Sequence, residues 1–201
     1  MIFSDPTPTL TSLEGVGLRA IQVRDANAWR AVRSRNRAWL TPWDATSPLG
    51  DVDVPPTFGS MVRMLKSEAR AGRTIPWVIT QDQRIVGQLT VGGISYGSLR
   101  SAHMGYWMDS AFAGRGIAPT AVAMGIDYCF RTLHLHRIEI NVRPENEASK
   151  RVVEKLGMRY EGTRLRYLHI NGEWHDHFSY AITVDELTGT MLDRLRARTL
   201  S

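Results

Sequence analysis

The chain has 201 residues, 43% hydrophobic and 22% charged, with a net charge of +5 and a single cysteine, Cys129. That size and balance suit one substantial globular core, and no apolar run approaches the roughly 18 residues that a membrane span requires. A lone cysteine forms no internal disulfide and the start MIFSDPTPTLTS lacks the basic-then-apolar pattern of a secretory signal, so a cytoplasmic setting is expected.

Residues 1–12 are polar and rich in Pro and Thr, and are expected to be loosely ordered. Val16–Val23 reads as a strand, and Asp25 is placed to cap a helix to about Trp39. On that helix Arg30, Arg33 and Arg37 share a face opposite Trp29, Val32 and Trp39–Leu40, and they read as a solvated basic face. A Pro/Gly/Asp-rich connection, 41–56, leads to Thr57, a cap for a second helix to about Ala71 that Gly72 ends. Strands follow at Ile75–Thr80 and Ile85–Ile94, around the polar turn Gln81–Arg84.

Ala102–Met108 is a further strand, and a glycine turn delivers it to a helix over 117–132 with Pro119 in its first turn. Leu135–Val142 is a strand, and Asn146 caps a helix that stops at Leu156–Gly157. Asn171-Gly172, the preferred pair for a type I′ turn, joins strands Met158–Ile170 and Trp174–Val184. An amphipathic helix over about 185–198 closes the chain. No linker composition divides it, so one mixed α/β domain over 1–201 is expected.

The densest chemistry lies in His103–Ala118, reading HMGYWMDSAFAGRGIA. Gly114 and Gly116 clear side-chain bulk from a strand-to-helix turn whose amides would point at an extended phosphate. No Gly-Lys-Ser/Thr follows, so it is not a Walker loop. Pro119 occupies the third glycine position of a Rossmann fingerprint, and Asn141–Arg143 replace its acidic residue, so that reading fails too. A second signal, Asn146-Glu147-Ala148-Ser149, starts a helix one strand downstream.

With these two signals the chain resembles the GNAT superfamily of acetyl-CoA-dependent N-acetyltransferases over about Val16 to Val184. The family's Gln/Arg-x-x-Gly-x-Gly/Ala motif aligns with Ala113-Gly114-Arg115-Gly116-Ile117-Ala118, where Ala113 replaces the long polar residue. Within it the chain is similar to RimJ/RimL-type ribosomal-protein N-terminal acetyltransferases. The carrying segments are Gly105–Met108, His136-Arg137, Asn146 with Ser149, Leu156–Met158, Glu161-Gly162 and Asn171–His177, and the tail NGEWHDHFSYAIT is RimJ-like.

The resemblance implies a central, mostly antiparallel sheet of about seven strands, splayed in the middle, with helices on both faces. It implies pantetheine held in the splay by the backbone at Trp107 and Met108. Pyrophosphate would lie on Gly114, Arg115, Gly116, Ile117 and Ala118 with Thr120. Asn146 would bond the pantetheine arm, and the Ser149 hydroxyl would serve the departing thiolate as acid or hydrogen-bond donor. Trp43, Tyr106 and Tyr167 are expected beside the acceptor. No metal is implied: His134/His136 and His175/His177 are pairs without a third ligand of evident spacing.

Relatives place a general base either on the strand before the glycine turn, here about Ala102, or where this chain has Leu168, and neither residue accepts a proton. Tyr167, His169 or Glu173 could assist through a water. A site without a dedicated base suits an α-amine. With a pKa near 8 against about 10.4 for lysine, roughly 10% of an α-amine is neutral at pH 7, a difference of about 3 kcal/mol. This agrees with the resemblance, which implies a protein N-terminus, that of a ribosomal protein, as the acceptor. A polyamine or aminoglycoside acceptor and a non-catalytic CoA-binding, ribosome-assembly role remain open alternatives. The basic charge permits RNA contact without a motif for it, and monomer and homodimer are equally compatible.

Overall fold

The computed structural model describes residues 7–50, 55 and 57–200. Its strands are β1 (Leu10–Thr11), β2 (Val16–Ala20), β3 (Ile75–Gln81), β4 (Arg84–Ser95), β5 (Ser101–Met108), β6 (Arg137–Val142), β7 (Arg159–Ile170) and β8 (Glu173–Thr183). The helices are α1 (Ala26–Arg35), α2 (Arg37–Leu40), α3 (Phe58–Arg70), α4 (Ile117–Arg131), α5 (Glu147–Lys155) and α6 (Met191–Leu200). The strands form one sheet in the order β1-β2-β3-β4-β5-β6-β8-β7.

The count is eight rather than seven because Leu10–Thr11 pairs with Leu18 and Gly17. That edge lies in the segment expected to be loose, of which residues 1–6 fall outside the described chain. Residues 7–12 are instead tied down. The indole of Trp77 donates to the Pro8 carbonyl at 2.8 Å, and Thr7 and Ser12 are buried.

Two-residue turns join the hairpins as their sequences require. Asp82 and Gln83 both take left-handed φ (49° and 67°), as do Asn171 and Gly172 (48° and 94°). Thr57 caps α3 through a reciprocal box with Ser60. The first helix departs from expectation. It stops at Arg35, and α2 restarts after Asn36, whose side chain leaves the helix register to bond Asp109 across the fold. Asp25 does not cap through its side chain; its carboxylate takes Arg19 at 2.8 and 2.9 Å and the Gln22 amide. The last helix begins at Met191, not near Asp185, because Asp127 of α4 accepts its first amides, Met191 at 2.6 Å and Leu192 at 3.2 Å.

Alternation along the strands divides the sheet into two faces. On β5, Ala102, Met104 and Met108 enter the larger core with α4, while His103, Gly105 and Trp107 lie on the opposite face. A smaller cluster of Ile21, Phe58, Val62, Val78 and Ile85 packs α1 and α3 against that other face. Helices therefore cover both sides.

Every strand pair is antiparallel except β5 with β6. That parallel pair spans only Ser101–His103 against Arg137–Glu139. From Met104 onward the two strands form no pairs, and the expected central splay opens there.

Candidate active site

The glycine turn lies at the mouth of the splay. Gly114 (φ 78°) and Gly116 (φ 79°) are both left-handed, and a Cβ at either would meet no atom within 4 Å. The left-handed backbone explains glycine twice in three residues, and the space beside both positions is open. Gly116 is the N-cap of α4 and offers no side-chain cap. The first amides of a 15-residue helix are thus presented, with its dipole, to a ligand.

A cleft of about 450 Å³ runs from this turn through the splay to the 39–45 segment. It gathers ten of the residues singled out from the sequence: Trp43, Tyr106, Trp107, Met108, Gly114, Gly116, Ile117, Ala118, Asn146 and Ser149. Arg115 and Thr120 open instead on a neighbouring groove, which Lys155 and Arg196 also line, and Arg115 stacks over Phe112 at 5.1 Å. Tyr167 lines neither; it stands edge-on to His177 with Arg164 over its ring.

At the centre of the cleft Asn146 caps α5, its Oδ1 accepting the Ser149 amide at 3.0 Å, so its Nδ2 remains the group able to donate into the cleft. Tyr106 lies on the α4–α5 side of β5, with Met104 and Met108, and lines the cleft. Its phenol oxygen is buried without a well-formed hydrogen bond. Burial pushes its pKa up to about 12, and the nearby Ser149 hydroxyl opposes that rise. A neutral phenol therefore stands beside the serine.

The opposite wall is built from distant parts of the chain. Arg33 pairs with Asp44 through two bonds (3.1 and 2.7 Å) while its guanidinium covers both Trp29 and Trp107, so it is not part of a solvated face. The Trp29 indole donates to Gln88. Arg143 lies over the Trp43 ring at 5.4 Å and donates to the Pro42 carbonyl. The β7–β8 turn clamps the same segment: the Asn171 amide donates to Asp44, the Gly172 amide to Thr46 Oγ1, and Thr46 to His169. Trp39, on the face opposite the arginines of the predicted helix, is 42% exposed and lines the mouth.

One buried knot joins the two walls. Asp109, 1% exposed at the end of β5, accepts from Arg35, from Asn36 at 2.8 Å and from the Ala111 amide at 3.2 Å. Asn36 Oδ1 in turn accepts from the amide and hydroxyl of Ser110. Burial raises the Asp109 pKa, but the Arg35 and Asn36 bonds outweigh it and hold the carboxyl below its ordinary range. The only sequence sign of this knot was a polar Asn inside an otherwise continuous helical pattern. Nothing local announced Arg33, Asp44 or Gln88.

Several other conspicuous segments are structural. Arg137 and Arg159 both bind Glu161, and Arg159 also binds Glu186. His136 pairs with Asp185, and buried His177 bonds the His175 carbonyl. Among the described residues no group of three or more His, Cys, Asp or Glu is arranged to hold a metal. Cys129 is fully buried, and burial pushes its thiol pKa far up. Ala102, aligned with the carboxylate of some relatives, is buried in the larger core. No described helix is long and apolar enough to cross a membrane.

A splayed sheet with an uncapped glycine turn at its mouth defines an acyl-CoA-type transferase fold, and the GNAT acetyltransferase domain model matches residues 16–159. The chain belongs to the GNAT acetyltransferase family. It is 42% identical to Mycobacterium smegmatis RimJ, solved in complex with CoA-disulfide, with a TM-score of 0.85 over 96% of this chain and 93% of that one. It is 33% identical to the probable N-acetyltransferase YjcK of Bacillus subtilis, over 82% of this chain and 92% of that protein. It is 29% identical to the ribosomal protein uS5-alanine N-acetyltransferase of Escherichia coli, over 83% and 87% of the two chains.

Proposed function

We propose that this chain transfers acetyl from acetyl-CoA to the α-amine of a protein N-terminus, a ribosomal protein in the cytoplasm, by direct attack in a ternary complex. The observation that carries this reading is one continuous cleft, with phosphate-facing amides at Gly114–Ala118 and an aromatic mouth at Trp39 and Trp43. Acetyl-CoA supplies the activated acyl group as a thioester. The Gly114–Ala118 amides hold its pyrophosphate, the free backbone edge at Trp107 and Met108 receives pantetheine as an added strand, and Asn146 donates to that arm. Ser149 donates to sulfur as negative charge develops there, with the Tyr106 phenol beside it as a neutral partner.

The acceptor enters from the Trp39–Trp43 side. Asp44 is the one carboxylate among the described residues lining the cleft, and Arg33 already neutralises it. That wall suits a singly charged peptide N-terminus better than a polyamine. Incubation with acetyl-CoA and peptides beginning Ala or Ser is expected to add one acetyl group at the N-terminal amine, read by fragment mass spectrometry. Acetylation confined to lysine side chains would overturn the assignment.

A further inference from the structure

The polar floor at the end of the cleft we assign to the acceptor keeps hydrogen-bond donors that the fold itself does not use. Gln88 and Thr90 of β4 line it, beside Trp107 and Gly105 of β5. The register pairs Gln88 with Trp107 and Thr90 with Gly105, on the face opposite buried Leu89 and Val91. Trp107 is packed edge-on against Trp29, whereas a Cβ on Gly105 would meet nothing within 4 Å. On the next rung the His103 ring lies over Gly92 and Gly93, so the Thr90–Gly105 rung is the open one.

An indole N–H only donates, so the 2.9 Å bond from Trp29 to Gln88 fixes the amide oxygen on the Trp29 side. The amide nitrogen donates one proton to Thr90 Oγ1 at 3.3 Å and keeps the other. Among the described residues the Thr90 hydroxyl accepts that bond and donates to nothing. Two donors, Gln88 Nε2 and Thr90 Oγ1, are therefore left beside the gap at Gly105. The Arg33 guanidinium, 5.2 Å from the Trp107 ring, adds positive charge at the same end. Such a seat suits a carbonyl oxygen and disfavours an ammonium group.

We propose that Gln88 and Thr90 are specificity-determining residues that bind the first peptide carbonyl of the acceptor. This rests on the N-terminal acetyl-transfer reading above and names what that site recognises. The α-nitrogen of a peptide lies about 3 Å from the carbonyl oxygen of its own residue. Seating that oxygen on the two donors leaves the amine over Gly105, where β5 has parted from β6. The ligand class is an α-amino acyl amide. A peptide N-terminus satisfies both donors. A polyamine, an aminoglycoside or a lysine side chain has no carbonyl at that distance from its amine and leaves them unpaired.

The test gives the full chain two acceptors: an Ala-initial peptide, and the same peptide with an (E)-alkene in place of its first amide, which keeps the shape and removes the carbonyl. Thr90→Val is nearly isosteric and deletes one donor. Gln88→Glu keeps an acceptor for Trp29 and deletes the other donor. In each, kcat/KM for the peptide is expected to fall about ten-fold. The value for the alkene, or its Ki where it only inhibits, is expected to change by less than about two-fold. Thr90→Ser restores the hydroxyl and should bring the peptide rate back to within about two-fold of the parent. Acetyl-CoA Kd, read by calorimetry, should stay within about two-fold in all three variants. If Gln88→Glu does not fold, the two Thr90 variants decide alone. Equal losses for the two acceptors, or an unchanged peptide rate in Thr90→Val, would overturn the carbonyl seat and leave the N-terminal acceptor standing. A parent protein that leaves the peptide unmodified, whether or not it acetylates spermine, would overturn both.

Discussion

The two walls of the cleft are made in different ways. The wall we assign to the cofactor is short-range backbone: a strand end, a glycine turn and a helix start within 105–118, with one more helix N-terminus at Asn146. The wall we assign to the acceptor is long-range side chain: Arg33 on Asp44, Arg143 on Trp43, and the β7–β8 turn holding 44–46 from more than 120 residues away. Backbone sites are specified by what residues lack, here a Cβ. Side-chain sites are specified by who meets whom, and this is fixed only when the sheet has formed. The first kind tolerates variation elsewhere in the chain, whereas the second changes with any residue that shifts its contacts.

The largest expected effect tests the backbone side. Gly116→Val puts a branched side chain where the structure is open and demands left-handed φ of a residue that avoids it. Loss of even one charge-assisted bond to phosphate, about 1.5–3 kcal/mol, weakens acetyl-CoA binding about 10- to 100-fold by calorimetry. An unchanged Kd would mean that the Gly114–Ala118 amides do not hold the pyrophosphate. Gly105→Val is the counterpart on the acceptor side. Its side chain enters empty space and fits a strand, so folding and acetyl-CoA affinity should persist while the acceptor KM rises by about ten-fold, a loss near 1.4 kcal/mol. A rise in the acetyl-CoA KM alone would place the acceptor elsewhere.

Asn36→Leu tests whether the walls are independent. It strips a buried carboxylate of one donor and frees Ser110 at the entrance to the glycine turn. An unfolding free energy lower by about 1–3 kcal/mol is expected, as for a lost bond to a buried charge. If Asn36 couples the walls, both the acetyl-CoA Kd and the acceptor KM worsen. If only one moves, the knot is merely structural.

What could be read from residues alone follows the same division. The Asn171-Gly172 hairpin, the Thr57 cap, the glycine turn and the Asn146 cap are decided within a few positions, and all stand where the sequence placed them. The break at Asn36, the capping of α6 by Asp127 and the stacking of Arg33 between two tryptophans depend on partners brought close by the fold. Tyr106 shows the limit within one strand. Its place on β5 was evident, but the side it faces follows from which neighbours α4 covers.

The smallest effect separates resemblance from chemistry. Glu161-Gly162 helped to mark the family likeness, yet Glu161 stands in an ion-pair network with Arg137 and Arg159, away from the cleft. Arg137, then Arg159, hold its carboxyl at about 2 against the opposing effect of burial. A carboxyl depressed in the folded state stabilises above its unfolded pKa near 4.3, and that stabilisation is lost as pH falls from there towards 2. Half-exposed pairs of this kind are worth about 1 kcal/mol at most. Glu161→Gln should therefore lower the urea midpoint slightly at pH 6, and the gap from the parent should be about halved near pH 3 and close as pH falls towards 2. Acetyl transfer at pH 7 should be unaltered, because this side chain does not line the cleft. A fall in kcat with stability intact would move Glu161 from the frame of the hairpin into the reaction, and the division between the two walls would need a third member.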